Sequence, residues 1–177
     1  MVHGIGVLGG SDCELLRSGW LAQPANAVSA AAFLVVAVWV FFTRRTGTHR
    51  AALVVGACAL AAVGAGSIVY HGPQPGWARP LHDGSIAALI VVDAILFGVA
   101  MVQGRATHAA RAAWKQAAAW MAVALVAFVV GRTGGWLCDP ASPVQPHALW
   151  HVLSAVGLGW LALGCAHGAP EARPLEQ

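Results

Sequence analysis

Charged residues are scarce in this chain of 177 residues, where Lys, Arg, Asp and Glu together make up 10% of the sequence. A soluble domain usually contains about 25% of these residues. Hydrophobic residues reach 58% instead, and the mean hydropathy is +0.68. This composition excludes an ordinary soluble domain and predicts one membrane domain over residues 1–177.

The sequence also shows no pattern typical of a nucleic-acid-binding patch or of a signal peptide. No basic patch is interleaved with aromatic residues, so we expect no nucleic-acid partner. No basic segment precedes the first hydrophobic run, so we expect no cleavable signal peptide. Ala and Gly are abundant, which would allow helices to pack closely in lipid.

Five hydrophobic runs are present, each near the roughly 20 residues that a helix needs to cross the hydrocarbon layer of a bilayer. Charged residues, Pro or Gly bound each run. The expected fold is therefore all-α, a polytopic transmembrane helix bundle of about five spans over residues 23–167. An N-terminal segment at 1–22 and a tail at 168–177 flank it. The predicted spans are Pro24–Phe42, Ala51–Tyr70, Gly84–Val102, Trp114–Val130 and Ala148–His167.

Basic residues predict the orientation of this bundle. Seven of the ten Lys and Arg residues belong to the loops after the first and third spans or to the tail, and three lie on the opposite side. Because cytoplasmic loops are enriched in Lys and Arg, we expect the N-terminus outside and the C-terminus in the cytoplasm. The Ala-, Gly- and Arg-rich composition favours a prokaryotic plasma membrane.

His147 and His151 open the last span and lie four residues apart, so a helix would place them on one face. Such a pair either binds one metal ion or consists of two ordinary interfacial histidines, one reaching water and one hydrogen-bonded. The second span ends on the same predicted outer side with His71. Three histidine ligands with an open fourth position are typical of a catalytic zinc site.

Ser67 and Asp83 are the polar residues expected beside these histidines. Ser67 lies one helical turn before His71 and would hydrogen-bond a metal-activated water or an oxyanion, or simply bond the carbonyl four residues earlier. Asp83 would act as general base and then acid, or simply cap the third span. His82 is expected in an exposed loop.

Asp93 falls in the middle of the third span, where an acid is costly and usually has a partner. Both a structural role, bonded to Asn26, Ser29 or the backbone, and a functional role remain open. Cys58 and Cys165 lie within spans and are expected to be small core residues.

Five short segments, in this order along the chain, resemble the alkaline ceramidase family. This family belongs to the CREST group of membrane hydrolases, which includes the progestin/adiponectin-type receptors. The resemblance covers the first three spans and the last, but not the middle. The segments are Ser11–Glu14, similar to Asp-Trp-Cys-Glu; Gln23–Ser29, similar to Glu-x-x-Asn-Thr-x-Ser; Ser67-x-x-x-His71; Asp83; and His147-Ala-Leu-Trp-His151, similar to His-Ala-Trp-Trp-His.

The resemblance implies a zinc-dependent membrane hydrolase that cleaves an amide bond in a ceramide-like lipid. It implies that zinc is bound by His71, His147 and His151. In that mechanism Ser67 would stabilise the oxyanion formed when water attacks the acyl carbonyl, and Asp83 would shuttle protons.

The resemblance also bears on a disulfide, on calcium and on the number of spans. Cys13 and Cys138 fall in outer loops, where a disulfide is chemically permitted, and they match the pair that family members join. The family's calcium site uses several acids, whereas this chain keeps Glu14 but has Gln23 and Leu15–Leu16, which makes calcium doubtful. The family has seven spans and this chain five, so we expect a reduced form of that fold.

Three alternative functions remain. The first is a non-catalytic zinc-containing protein, receptor-like or lipid-binding; the second is a zinc hydrolase of another lipid bond; the third is a structural protein whose histidines bind nothing. In the hydrolase interpretation that the resemblance implies, the expected partner is a membrane lipid substrate. The sequence predicts neither the chain length of this lipid nor an oligomeric state.

Overall fold

The fold is all-α. The computed structural model describes residues 8–43, 47–104 and 106–166, which contain six helices and no strand. The helices are α1 (Pro24–Ser29), α2 (Ala31–Phe42), α3 (Gly47–His71), α4 (Ala78–Val102), α5 (His108–Val130) and α6 (Pro146–Ala166).

Five helical segments are long and apolar enough to cross a membrane, which confirms the predicted number of spans. The first span consists of α1 and α2 together. The tail at 168–177 and several of the basic residues used to predict the orientation lie outside the described residues, so the predicted domain limits and orientation stay predictions. The five segments are Pro24–Phe42, Arg50–His71, Ala78–Val102, His108–Val130 and Pro146–Ala166.

The third span begins six residues earlier than predicted, at Ala78. Pro80 is compatible with this start because a proline is tolerated in the first turn of a helix, where its missing N–H has no intrahelical acceptor. Trp77 is the N-cap, so Asp83 does not cap the helix. The prediction of an exposed loop at His82 was also wrong, since His82 lies in the second turn of α4 and its side chain is 17% exposed.

The fourth span also begins six residues early, at His108. The hydroxyl of Thr107 accepts a hydrogen bond of 3.1 Å from the backbone N–H of Ala110 and caps the helix. The polar residues of the first two turns, including Arg111 and Lys115, therefore belong to α5 rather than to a loop. His167, the predicted end of the fifth span, lies outside the described residues.

The first span is interrupted at Ala30, between α1 and α2. The hydroxyl of Ser29 donates to the carbonyl of Asn26 at 3.0 Å, and the same carbonyl accepts the N–H of Ala30 at 3.1 Å. A serine that bonds back to its own helix often bends it. The interruption places Asn26 and Ser29 against α6.

Helix α6 lies at the centre of the bundle and contacts every other helix. Half of its hydrophobic stretch is buried, compared with 22% for α4 and α5. Gly157 allows the approach of α5, since a Cβ at this position would lie 3.2 Å from the carbonyl oxygen of Ala117. Such small residues permit close helix contacts in lipid.

A gap separates α4 from α5 along most of their length. Helix α4 packs mainly against α3, and α5 packs against α6. The two helices meet at one end, where the rings of Phe97 and Trp114 lie 4.8 Å apart. Elsewhere in this gap, residues of both helices line a cavity.

A disulfide fastens the N-terminal segment over the end of the bundle. Cys13 and Cys138 are bonded, with their Cα atoms 5.5 Å apart, which confirms the predicted pair. The segment also pairs with the loop between α5 and α6, where the hydroxyl of Thr133 donates to the carbonyl of Gly10 at 2.7 Å. Of the other cysteines, Cys165 is buried as predicted.

Cys58 is exposed, and its prediction as a core residue was wrong. Its neighbour Ala57 faces the core instead. A hydrophobic span has a lipid-facing side as well as a core-facing side, so hydropathy alone does not tell which side holds a small residue.

Candidate metal centre

Three buried histidines meet at one end of the bundle, which we call the histidine end. His71 is the last residue of α3, and His147 and His151 lie in the first two turns of α6. One ligand atom from each ring lies within 4.8 Å of the others. The three residues are 0%, 6% and 2% exposed, in that order. The prediction that these side chains converge is confirmed.

Gln23 determines which nitrogen of His71 is free. Its Nε2 donates to the carbonyls of Gly9 at 2.9 Å and Glu14 at 3.0 Å, so its Oε1 is the atom that faces His71. This oxygen lies 2.7 Å from Nδ1 of His71, which must carry the hydrogen because an amide oxygen only accepts. Nε2 of His71 is left with a free lone pair, buried and without a hydrogen-bond partner among the described residues. A bound metal ion would explain this orphaned acceptor.

His151 is oriented in the same way by the bend between α1 and α2. Its Nδ1 lies 3.1 Å from the carbonyl oxygen of Asn26 and 3.0 Å from the hydroxyl of Ser29. Because the carbonyl only accepts, Nδ1 carries the hydrogen and Nε2 is free to bind an ion. The hydroxyl of Ser29 already donates to the same carbonyl, which leaves its oxygen as a second acceptor.

Asp12 faces the third histidine. Its Oδ1 lies 3.8 Å from Nδ1 of His147 and accepts a hydrogen bond of 3.0 Å from the hydroxyl of Ser11. Burial raises the pKa of the Asp12 carboxyl above its ordinary value of 3.8. Metal-binding histidines commonly direct their second ring nitrogen at a carboxylate or a carbonyl. His71 and His151 have such a hydrogen-bonded partner, and the carboxylate of Asp12 lies near Nδ1 of His147, so the geometry and the donor set fit a metal ion.

The three imidazole nitrogens indicate which class of metal ion the centre would bind. Imidazole nitrogens suit zinc and the neighbouring transition metals better than calcium or magnesium, which prefer oxygen ligands. Three such ligands also leave a fourth coordination position open in a tetrahedral site.

A cavity of about 490 Å³ adjoins the histidines in the gap between α4 and α5. Its wall includes His147 and His151, and it also includes both predicted catalytic residues, Ser67 and Asp83. Ser67 is buried, whereas the side chain of Asp83 is 64% exposed. The structure therefore brings all five predicted site residues to one region.

Asp83 is held by a chain of contacts that the sequence did not predict. Nδ1 of His82 lies 2.8 Å from its Oδ1, and the ring of His82 stacks on Tyr70 with ring centroids 4.4 Å apart. The hydroxyl of Tyr70 accepts the backbone N–H of Gly9 at 3.1 Å. The position of Asp83 at the cavity wall is thus linked to the N-terminal segment.

Asp12, Gln23 and His82 are the residues whose contacts sequence reasoning missed. Asp12 and Gln23 stand within segments that carry the family resemblance, but nothing in their spacing indicates a histidine partner. Extension of α4 through Pro80 would have placed His82 on a helix, but helical spacing does not indicate a contact between adjacent residues.

Glu14, the acid kept from the family's calcium motif, serves as a helix cap. One carboxylate oxygen accepts the backbone N–H of Ala25 at 2.8 Å, and the other accepts that of Asn26 at 2.9 Å. These are N–H groups of the first turn of α1, which have no partner inside the helix. Gln23, where the family has a second acid, bonds His71 instead.

Comparison with known proteins adds no further constraint. No protein-family model, no curated protein and no solved structure matches this chain. The likeness to the alkaline ceramidases therefore depends on the five short segments, and the functional conclusion depends on the chemistry of the site.

Proposed function

We propose that this chain is a zinc-dependent membrane hydrolase that cleaves an amide bond in a ceramide-like lipid. The observation that carries this proposal is the convergence of three buried imidazoles, two of which line a cavity inside an apolar bundle. The Nδ1 atoms of His71 and His151 are hydrogen-bonded, and that of His147 lies 3.8 Å from the carboxylate of Asp12. When bound there, zinc would polarise a carbonyl and lower the pKa of water toward about 7.

The residues around the centre have separate roles in this reaction. Amide hydrolysis adds water across the C–N bond, so the acyl carbon gains a hydroxyl and the amine leaves with a proton. Asp83 takes the proton from the attacking water and passes it to the leaving amine. Ser67 donates a hydrogen bond to the oxygen on which negative charge develops. His82 donates to Asp83 and holds it at the cavity wall.

The apolar part of the cavity fits hydrocarbon chains. Its wall is formed by side chains of four helices, so the acyl chain and the long-chain base would lie between the spans. These residues are Phe33, Val63, Leu89, Ile90 and Leu158. In this proposal the bundle is a reduced form of the seven-span ceramidase-like fold, with its N-terminus outside, its C-terminus in the cytoplasm and its histidine end on the outer face of a prokaryotic plasma membrane.

Metal analysis of detergent-purified protein tests the first half of the proposal. We expect about one zinc per chain, the occupancy of a single tetrahedral site. Both His147→Ala and His151→Ala should lose it. His108→Ala is the matched control, because His108 is exposed at the start of α5, and this variant should keep the metal. Unchanged metal content in all three variants would place the ion elsewhere.

A hydrolysis assay with synthetic ceramides tests the second half. Ser67→Ala and Asp83→Asn should keep zinc but lower turnover about 100-fold or more, since each removes a group that acts on the reacting atoms. Wild-type protein that binds zinc and ceramide without turnover would support the receptor-like alternative. Turnover of a phospholipid ester but not of ceramide would support a hydrolase of another lipid bond.

A further inference from the structure

Asp93 is a buried acid that the proposed reaction does not use. It lies ten residues after Asp83 on α4, which places it about 15 Å further along the helix axis. A hydrocarbon layer is about 30 Å thick, so Asp93 lies near the middle of the span. It is 8% exposed and lines the same cavity as the histidines.

The structural partners predicted for Asp93 do not bind it. Ser29 is bonded to the carbonyl of Asn26 and to His151, and neither polar atom of the Asn26 side chain has a hydrogen-bond partner. Within residues 8–43, 47–104 and 106–166, no hydrogen bond or ion pair to Asp93 is found. Cys165 is near enough for an electrostatic interaction, but a thiol is a weak hydrogen-bond donor.

An unpaired carboxyl at this depth is costly, and such residues in membrane spans usually serve a function. The cavity wall that it shares is mainly apolar and includes Leu89 and Ile90 on α4, Met121 on α5 and Leu158 on α6, and the hydroxyl of Ser154 on α6 donates to the backbone of its own helix. A plain hydrocarbon chain in this part of the cavity would leave the carboxyl without a partner. A chain that carries a hydroxyl at the same depth would donate a hydrogen bond to it.

We propose that Asp93 is a specificity residue that accepts a hydrogen bond from a hydroxyl group on the hydrocarbon chain of the bound lipid. The ligand class is a lipid with two polar positions, the amide at the histidines and a chain hydroxyl about 15 Å deeper, the distance that ten helical residues span. The carboxyl accepts this bond in either protonation state. This inference rests on the proposed function for the position of the amide, but the recognition of the hydroxyl is a separate property.

The difference in affinity between lipids with and without the chain hydroxyl should be substantial. A site that is built around a hydrogen bond rejects the analogue that lacks the hydroxyl, because its buried polar group is then left unpaired. Hydrogen bonds to buried polar groups commonly correspond to about tenfold or more in affinity.

The experiment measures binding of a series of ceramides by the zinc-loaded protein in detergent. All have the same chain length; one has an unsubstituted chain, and the others carry one hydroxyl at successive positions. Their affinity is measured by displacement of a fluorescent lipid. Wild-type protein should bind one hydroxyl position about tenfold more tightly than the unsubstituted chain.

Asp93→Leu should remove this preference, and Asp93→Asn, which keeps one carbonyl acceptor, should retain much of it. Ile95→Ala is the matched control, since Ile95 is exposed on the same helix and does not line the cavity, and this variant should keep the preferred position. Zinc content and thermal unfolding show that each variant is folded, and Asp93→Ala, which should also lose the preference, takes the place of the Leu variant if that variant does not fold.

Two results would overturn the inference: no preferred hydroxyl position in wild type, or the same preference in Asp93→Leu. Turnover of the same lipids, measured in parallel, separates this outcome from the proposed function. A preference that is lost in Asp93→Leu without any turnover refutes the hydrolase and keeps the recognition of the hydroxyl. Equal binding and equal turnover of all the lipids refutes the recognition of the hydroxyl and keeps the hydrolase.

Discussion

Replacement of Gln23 by leucine tests whether the free nitrogen of His71 is set by a single side chain. Gln23 is fully buried and makes three hydrogen bonds, one to Nδ1 of His71 and two to the carbonyls of Gly9 and Glu14. Gln23→Leu leaves Nδ1 of His71 and the carbonyl of Glu14 without this partner, whereas the carbonyl of Gly9 still accepts the N–H of Asp12 at 3.0 Å. Each unsatisfied buried group costs about 1–3 kcal/mol, so we expect a loss of stability of at least about 2 kcal/mol.

The same variant should weaken zinc binding. Loss of a group that orients a metal-binding histidine typically lowers metal affinity about 10- to 100-fold. Competition with a chromophoric chelator measures the zinc Kd, and thermal unfolding in detergent measures the stability. Gln116→Leu is the matched control, because Gln116 is exposed on α5, and this change should alter neither quantity.

Gln23→Glu separates the two roles of this side chain. A glutamate keeps an oxygen acceptor for His71 but directs its second oxygen at two carbonyls, which repel it. We therefore expect lower thermal stability with a zinc affinity close to that of the wild type. A zinc Kd that is unchanged in Gln23→Leu would refute the assignment of the His71 tautomer, and with it the role of its Nε2 as a metal ligand.

Three further changes affect the centre or its support. Asp12→Ala removes the carboxylate beside His147 and should weaken zinc binding about tenfold, measured by the same competition assay. Cys13→Ser opens the disulfide, which closes a separation of 125 residues. The chain-entropy model gives about 4.7 kcal/mol for a loop of about 100 residues, and we expect a smaller loss of stability in thermal unfolding, because inserted spans already restrict the unfolded chain. Gly157→Leu should destabilise the bundle by about 1–3 kcal/mol or more, since its side chain would meet the backbone of α5, and a wild-type thermal midpoint would contradict the observed packing.

The spans were predictable because hydrocarbon length and hydropathy dominate the location of a membrane helix. Their starts were not, because polar residues also extend helices beyond the hydrophobic stretch. At α4 the residues Arg79, Pro80 and Asp83 favoured a loop, yet proline fits the first turn and the charged side chains remain exposed at the end of the helix. The error placed His82 in a loop.

The convergence of the histidines was predictable from topology. Spans that alternate in direction bring the end of the second and the start of the fifth to one face, and His71, His147 and His151 lie at these ends. Their partners were not predictable, because Asp12 and Gln23 reach the histidines only through the path of the N-terminal segment. That path depends on a disulfide and on hydrogen bonds between residues more than 100 positions apart.

The N-terminal segment explains how a bundle of five helices encloses such a centre. The histidines lie at the end of the helices, where helix packing alone would leave them open. Residues 8–23 cover this end, pair their backbone with His71 and Gly72, and supply both Asp12 and Gln23 to the imidazoles. Helices α4 and α5 contribute the cavity but no histidine of the centre. The centre therefore depends on α3, α6, the bend between α1 and α2, and the covering segment, and additional spans are not needed to build it.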